Sequence, residues 1–158
     1  MENILLKPIG IIHSPFTRQD GTPIQPAAGA GAAGQVEVFP EYEAGLKDLD
    51  GFDRIILLYH FHNSCREELV VTPYLDSTQR GVFASRAPCR PNRIGISCVK
   101  LVRVEKNVLH VEDVDILDGT PLIDIKPYVP RFDSFAHVKA GWLDSTDVSG
   151  KRADSRFE

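Results

Sequence analysis

No acidic residue occurs between Asp76 and Glu105, in a chain whose formal net charge is -4. The only charges in that window are Arg80, Arg86, Arg90, Arg93, Lys100 and Arg103, so six of the 18 basic residues stand together. Such a cluster repels itself unless an anion or an acidic wall of the same protein faces it. Other absences narrow the class. The strongest apolar run, Ile55 to Tyr59, is five residues, far short of the roughly 20 that a membrane-spanning helix needs. The amino terminus, MENILLKPIG, has neither a basic region nor a small-residue cleavage site, so no secretory signal is expected. Cys65, Cys89 and Cys98 are odd in number and form no C-x-x-C pair; they argue against a disulfide framework or structural zinc and fit a reducing, cytoplasmic setting. Neither of the common glycine-rich nucleotide fingerprints is present, and no serine sits in a nucleophile elbow. His60 and His62 share a strand face, but His13, His110 and His137 show no ligand spacing around them, so no metal site is expected.

What is present centres on the stretch Arg80 to Ser97, RGVFASRAPCRPNRIGIS. Pro88 and Pro91 fix φ and bias Ala87 and Arg90 toward extended backbone, and Asn92 tolerates left-handed geometry. A rigid, non-helical loop displaying guanidinium groups follows, and arginine's planar fork suits a carboxylate, a phosphate or the face of a base. A second charged feature complements it. Between Asn107 and Ile125 the charges are all negative: Glu112, Asp113, Asp115, Asp118 and Asp124. Carboxylates accept hydrogen bonds from a diol while arginine takes a carboxylate, so together they suit a zwitterion or a ribose-bearing cofactor. Asp118-Gly119-Thr120-Pro121 is a tight turn whose amides can approach a ligand closely. His62-Asn63 closes a strand, where backbone amides go free. Thr17 to Gly34 is a long connection rich in Gly, Ala and Pro, in which Gln25-Pro26 holds a donor-acceptor side chain in place.

The segments read as many short strands: Ile4–Ile12 with Pro8 inside it, Gln35–Phe39, Asp53–His62 with an apolar run that suggests burial on both faces, Val70–Thr72, Gly81–Ala84, Ile94–Glu105, Val108–Val114 and Leu122–Val129. Lys106-Asn107 turns one hairpin, and Glu41–Leu49 is expected as a short helix. Little sustained helical periodicity and frequent Gly/Pro turns predict a mainly β, single-domain β-barrel with short helices and long loops. Residues 1–148 are expected to form that domain and 149–158 a disordered tail.

IGIIHSPF, Gln25-Pro26, FDRIILLYHFHN, GVFASRAPCRPNRIGIS and DILDGTPLIDIKPYVP occur in this order. With them the chain, from about Ile9 to Asp133, resembles the TrmO (TsaA-like) family, in its short form without the carboxy-terminal domain of the larger bacterial members. The resemblance implies a small β-barrel that forms a homodimer with its cofactor site near the interface. It further implies S-adenosylmethionine as cofactor and methylation of N6 of N6-threonylcarbamoyladenosine at position 37 of tRNA, in the anticodon loop. Carried over by motif, cofactor contacts fall on Gln25, Pro26, Ala27, His62, Asn63, Arg86, Ile96, Asp118, Gly119, Thr120 and Pro121. Arg86 is also an RNA contact, and Arg90 and Arg93 are added as phosphate or stacking groups. The chain has Arg93 where the commonest bacterial pattern has proline, and Ala27 where that pattern has glycine.

Displacement at a methyl carbon needs N6 in line with the departing sulfur, and a base would assist; the sequence singles out no residue for that task, and Tyr42 and Tyr59 are candidates for stacking. Two alternatives stand beside this reading. One is a methyltransferase acting on another RNA or on a small molecule. The other is an RNA- or anion-binding module without chemistry, which would bind RNA in a salt-sensitive way and ignore S-adenosylmethionine.

Overall fold

In the computed structural model, which describes residues 2–29, 31–64, 67–149 and 151–157, six antiparallel strands close into a barrel. The strands are β1 (Gly10–His13), β2 (Gly34–Val38), β3 (Arg54–His60), β6 (Ile94–Glu105), β7 (Val108–Glu112) and β8 (Thr120–Pro127). Their order around the barrel is β1-β2-β7-β6-β3-β8, with β8 returning to β1. Two short strands, β4 (Val70–Val71) and β5 (Arg80–Gly81), pair outside it.

The period of two in the sequence becomes the inside and outside of the barrel. Ile55, Leu57 and Tyr59 of β3 point inward, as do Val99 and Leu101 of β6, Leu109 and Val111 of β7, Val36 and Val38 of β2, Ile12 of β1 and Leu122 of β8. A six-stranded barrel is narrow, so these branched side chains fill it completely, each stabilising the fold by roughly 1.5–3 kcal/mol relative to exposure. Lys106, at φ +55°, makes the β6–β7 turn, and the Asn107 side chain donates to Val38 O at 2.7 Å, tying that hairpin to β2.

Several expectations change. β1 begins at Gly10 rather than Ile4; Pro8 has no N–H to contribute to a ladder, and Ile4, Leu5 and Leu6 are exposed. β3 alternates instead of being buried on both faces, because its outer face, with Ile56 and Leu58, is only partly covered. The helix expected over Glu41–Leu49 is a 3-10 helix at Pro40–Leu46, where proline starts the turn, followed by a second at Leu49–Gly51. Of the fifth expected strand, Gly81–Ala84, only Gly81 pairs, within Arg80–Gly81; Val82–Ala84 is a 3-10 turn. The short helix α1 (Pro130–Asp133) follows β8.

Residues 151–157, expected to belong to a disordered tail, pack against the domain. Pro23 and Arg152 form a β-bridge, Gly21 N donates to Ala153 O at 2.9 Å and Ala153 N to Thr22 O at 2.8 Å. Ala153 and Phe157 are buried, and Phe157 meets Tyr74 edge-on with ring centroids 4.9 Å apart. Phe157 belongs to a second apolar cluster with Val71, Val82, Ala87 and Cys89, under the arginine loop. A polar segment holding two well-placed apolar residues is ordered by the groove they fill. The reading against disulfides also falls. Cys89 is disulfide-bonded and fully buried, whereas Cys98 is a free thiol. Cys65 lies outside the described residues.

Gly10 lets β1 and β2 close on each other: a Cβ there would stand 2.2 Å from Glu37 O, a backbone atom that cannot swing aside. Gly10→Ala is therefore expected to lower the unfolding free energy by about 1–3 kcal/mol. An unchanged urea midpoint would show that the β1–β2 contact is looser than described.

Candidate functional site

At the barrel end where β3 finishes and β6 and β8 begin, loops rise around a cavity of about 560 Å³, a size suited to a cofactor or drug-sized ligand. Its walls are largely apolar, including Ile24, Phe61, Ile116, Leu117, Leu143 and Phe157, with a few polar groups converging on it. The barrel supplies the floor, the Thr17–Gly34 connection and the arginine loop two sides, and the carboxy-terminal segment a third.

The arginine loop is rigid because it is bonded to itself and to its neighbours. Arg90 donates from Nη1 to Val82 O at 3.0 Å and to Ser85 O at 2.8 Å, and its guanidinium lies over the Phe83 ring. Ser64 Oγ donates to Pro88 O, and Phe61 N to Arg93 O, which fastens the loop to the end of β3. Arg93 itself sits at φ +49°. Arg90, expected at an RNA surface, is half-buried and holds the loop's shape.

The cluster of six cations divides in three dimensions. Arg80 pairs with Asp76, Lys100 with Glu112 across the β6–β7 ladder, and Arg103 with Glu105. No described carboxylate pairs with Arg86, Arg90 or Arg93. Arg86 donates to Gln25 Oε1 at 2.6 Å, so two segments 61 residues apart meet at the cavity.

Of the residues expected to bind a cofactor, Gln25, Ala27, His62, Asn63, Arg86, Ile96 and Thr120 line this one cavity. Pro26, Asp118, Gly119 and Pro121 do not. The Asp118 carboxylate faces the turn after β1 instead, accepting from Ser14 N at 3.1 Å and lying 3.6 Å from His13 Nδ1, and Gly119 N donates to Ile12 O. These bonds hold the turn at φ +74° for Gly119 and set Thr120 at the cavity's edge. Thr120 Oγ1 donates to Leu117 O at 2.7 Å, so its contact of 3.3 Å with His62 Nδ1 requires the proton on Nδ1 and leaves Nε2 as acceptor. Burial, and then the neighbouring His60, push the His62 pKa down, so the ring is neutral near pH 7.

Three residues take parts at the site that the sequence did not give them: Asp115, read only as one of an acidic wall, Tyr59, read as a stacking candidate but buried, and Ser97, which the sequence did not single out. Val114 and Ile116 are buried on either side of Asp115, and Asp115, Ile116 and Leu117 together line the cavity. Ser97 Oγ donates to Asp115 Oδ1 at 2.5 Å, and Tyr59 OH lies 3.0 Å from Ser97 Oγ. The Tyr59 ring is packed on Gly95, where a Cβ would fall 2.2 Å from it. Burial pushes the Asp115 carboxyl up to about 7, against the opposing pull of the Ser97 hydrogen bond and the Arg86 charge. Burial likewise drives the Tyr59 phenol far above its ordinary value, so it remains a donor. The signal was faint in the sequence. Asp115 is one of five acids in its region, and only the barrel separates it from the other four.

A family model described as the tRNA-methyltransferase O N-terminal domain matches residues 11–134. The chain is 53% identical over 156 residues to a probable S-adenosyl-L-methionine-binding protein of Pyrococcus abyssi, covering 98% of this chain and 85% of that protein. It is 35% identical over 144 residues to a human tRNA (adenine(37)-N6)-methyltransferase, covering 86% of this chain and 32% of that one. A crystal structure of TrmO from Pseudomonas aeruginosa, 36% identical, superposes with a TM-score of 0.75 over 89% of this chain and 63% of that chain. The chain thus spans about a third of the human protein and under two thirds of the solved one.

An unfolded aspartate titrates near 4, so between about pH 4 and 7 the folded state holds the proton that the unfolded state has lost. Stability contributed by the protonated form is therefore lost as pH rises through that window. Relative to Asp115→Asn, the unaltered protein is expected to lose roughly 2–4 kcal/mol between pH 4.5 and 8. Parallel stability curves for the two proteins, measured by urea denaturation, would contradict the burial of this charge.

Proposed function

Because the chain belongs to the tRNA-methyltransferase O N-terminal domain family, we propose that its cavity binds S-adenosylmethionine and that it methylates N6 of an adenosine in tRNA. The finer reading is that the adenosine is N6-threonylcarbamoyladenosine at position 37, in the anticodon loop. The observation that carries the cofactor assignment is the meeting of Arg86, in direct ion pair with no described carboxylate, with Gln25 at the mouth of an apolar cavity that also holds the largely buried Asp115 carboxylate.

The donor set fits this cofactor. Arg86 offers a fork to the amino-acid carboxylate, Phe61, Ile116 and Leu117 offer apolar faces to the adenine, and Gln25, Asn63 and Thr120 offer hydrogen bonds to the ribose and the base edge. When bound, the sulfonium supplies an electrophilic methyl group; the protein's share is position and electrostatics. Arg86 and Gln25 fix the orientation. The apolar walls exclude water, which strengthens every polar contact inside. Neutral His62, with Nε2 as acceptor, receives a hydrogen bond from the ligand without adding a second positive charge beside the sulfonium. Arg86 and Arg93, near the cavity and free of described acidic partners, hold phosphates or stack on splayed bases of the tRNA loop. Arg90 keeps their loop in shape.

A homodimer with the cavity near the interface fits the exposed apolar side chains Phe83, Ile94 and Ile96 beside the opening. The proposed compartment is the cytoplasm, a reading that rests on the tRNA substrate; among the described residues no helix is long and apolar enough to cross a membrane.

Calorimetric titration with S-adenosylmethionine is expected to give saturable binding of about one molecule per chain. Arg86→Ala should weaken it tenfold or more, about 1.4 kcal/mol, with the thermal midpoint unchanged. RNA binding that falls steeply with salt, without any cofactor heat, would instead favour the binding-module reading. Methyl transfer to threonylcarbamoylated tRNA but not to its unmodified transcript is the expected specificity; transfer to both would remove the finer reading and keep the coarser.

A further inference from the structure

We propose that Asp115 is the general base of the methyl transfer, accepting the N6 proton on the carboxylate oxygen that Ser97 leaves free. The inference rests on the methyltransferase reading above and names the residue that completes it.

The geometry makes Asp115 the terminus of a one-way chain. Ser97 gives its only hydroxyl proton to Asp115 Oδ1, so the contact between Ser97 Oγ and Tyr59 OH is donated by tyrosine. Tyr59 O–H, Ser97 O–H and the Asp115 carboxylate therefore align, with each donor pointing toward the carboxylate. Ser97 and Tyr59 are buried in the barrel wall and fixed by β6 and β3, so the chain cannot reorient. The groups facing Asp115 are Tyr59 from β3, Ser97 from β6 and Arg86 from the arginine loop. Tyr59 stays protonated, and Arg86 is a permanent cation. None of the three can accept a proton, which leaves Asp115 as the basic group of this hydrogen-bonded chain, apart from the neutral His62 ring elsewhere on the cavity wall.

Its environment also matches the task. A carboxylate in water is too weak a base to assist an exocyclic amine, but burial raises this one toward neutrality while Arg86 and Ser97 keep the ionised form accessible. In the step, the N6 lone pair forms the new bond to the methyl carbon and the carbon–sulfur pair remains on sulfur. The N6 proton passes to Asp115 Oδ2 and then to water when the products leave. The positively charged sulfonium becomes a neutral thioether, and the proton carries that charge away. Ser97 is a positioning residue: it orients the carboxylate and favours its ionised form.

Three measurements test this. Carbon-13 NMR of the Asp115 carboxylate in the protein alone should titrate near pH 7; a midpoint in the ordinary range around 4 would overturn the proposal. Calorimetry should show Asp115→Asn binding S-adenosylmethionine within about threefold of the unaltered protein. Single-turnover transfer to threonylcarbamoylated tRNA, at saturating cofactor, should be about 10²- to 10⁴-fold slower in that variant, with the rise in rate between pH 6 and 8 abolished. Ser97→Ala should keep most of the rate at high pH but move that rise upward, because the ionised carboxylate has lost a donor; an unmoved profile would remove Ser97 from the assignment. If Asp115→Asn loses cofactor affinity yet keeps the native rate at saturation, Asp115 is a cofactor contact and the inference fails while the methyltransferase reading stands. If the unaltered protein transfers no methyl group to either modified or unmodified tRNA, that reading falls and the inference falls with it.

Discussion

Closure of the ladder between β1 and β8 is the constraint on which the rest of this molecule depends. Gly10 pairs with Leu122 and Ile12 with Thr120, joining strands that lie at opposite ends of the domain's sequence. Without that seam the sheet would have two open edges, and the branched side chains inside would face water. With it, the Asp118-Gly119 turn is pinned against Ser14 and Phe16, and the segment carrying Asp115 is drawn across the end of the barrel. Packing, hydrogen bonding and chemistry thus share one origin.

The cavity is built by loops, but those loops are not loose. The arginine loop has its own internal clamp in Arg90, a buried cystine sulfur at Cys89 and an apolar underlay completed by Phe157 from the far end of the chain. Each anchor removes freedom from backbone that would otherwise be costly to order on binding a ligand. The half-buried clamp and the exposed Arg86 divide the labour: one guanidinium holds the loop while the other stays at the cavity.

Charge follows the same division. Cross-strand register, which sets Lys100 opposite Glu112, neutralises the part of the basic cluster that runs down the barrel wall. The part that stays without a described acidic partner is the part beside the cavity. Surface pairs of this kind stabilise by less than about 1 kcal/mol each, so their effect is mainly to shape the field, concentrating positive potential where the ligand enters.

Much of this was legible in the residues. The alternation in Ile94–Glu105, the Lys106-Asn107 and Asp118-Gly119 turns and the absence of helical periodicity determine a β-barrel, because a side-chain period of two and turn chemistry are local properties. The acid-free window from Asp76 to Glu105 likewise marks the arginine loop as functional ground, since charge is readable without a fold. The tertiary structure alone decided which cations remain available, that Arg90 faces inward, that Asp118 braces a turn while Asp115 enters the cavity, and that the last residues cover the site. The bracing of Asp118 against Ser14 and the seating of the last residues on Gly21 and Thr22 are contacts between residues far apart in the chain. Burial, which raises the pKa of one of five similar carboxylates, exists only once the barrel has closed around it.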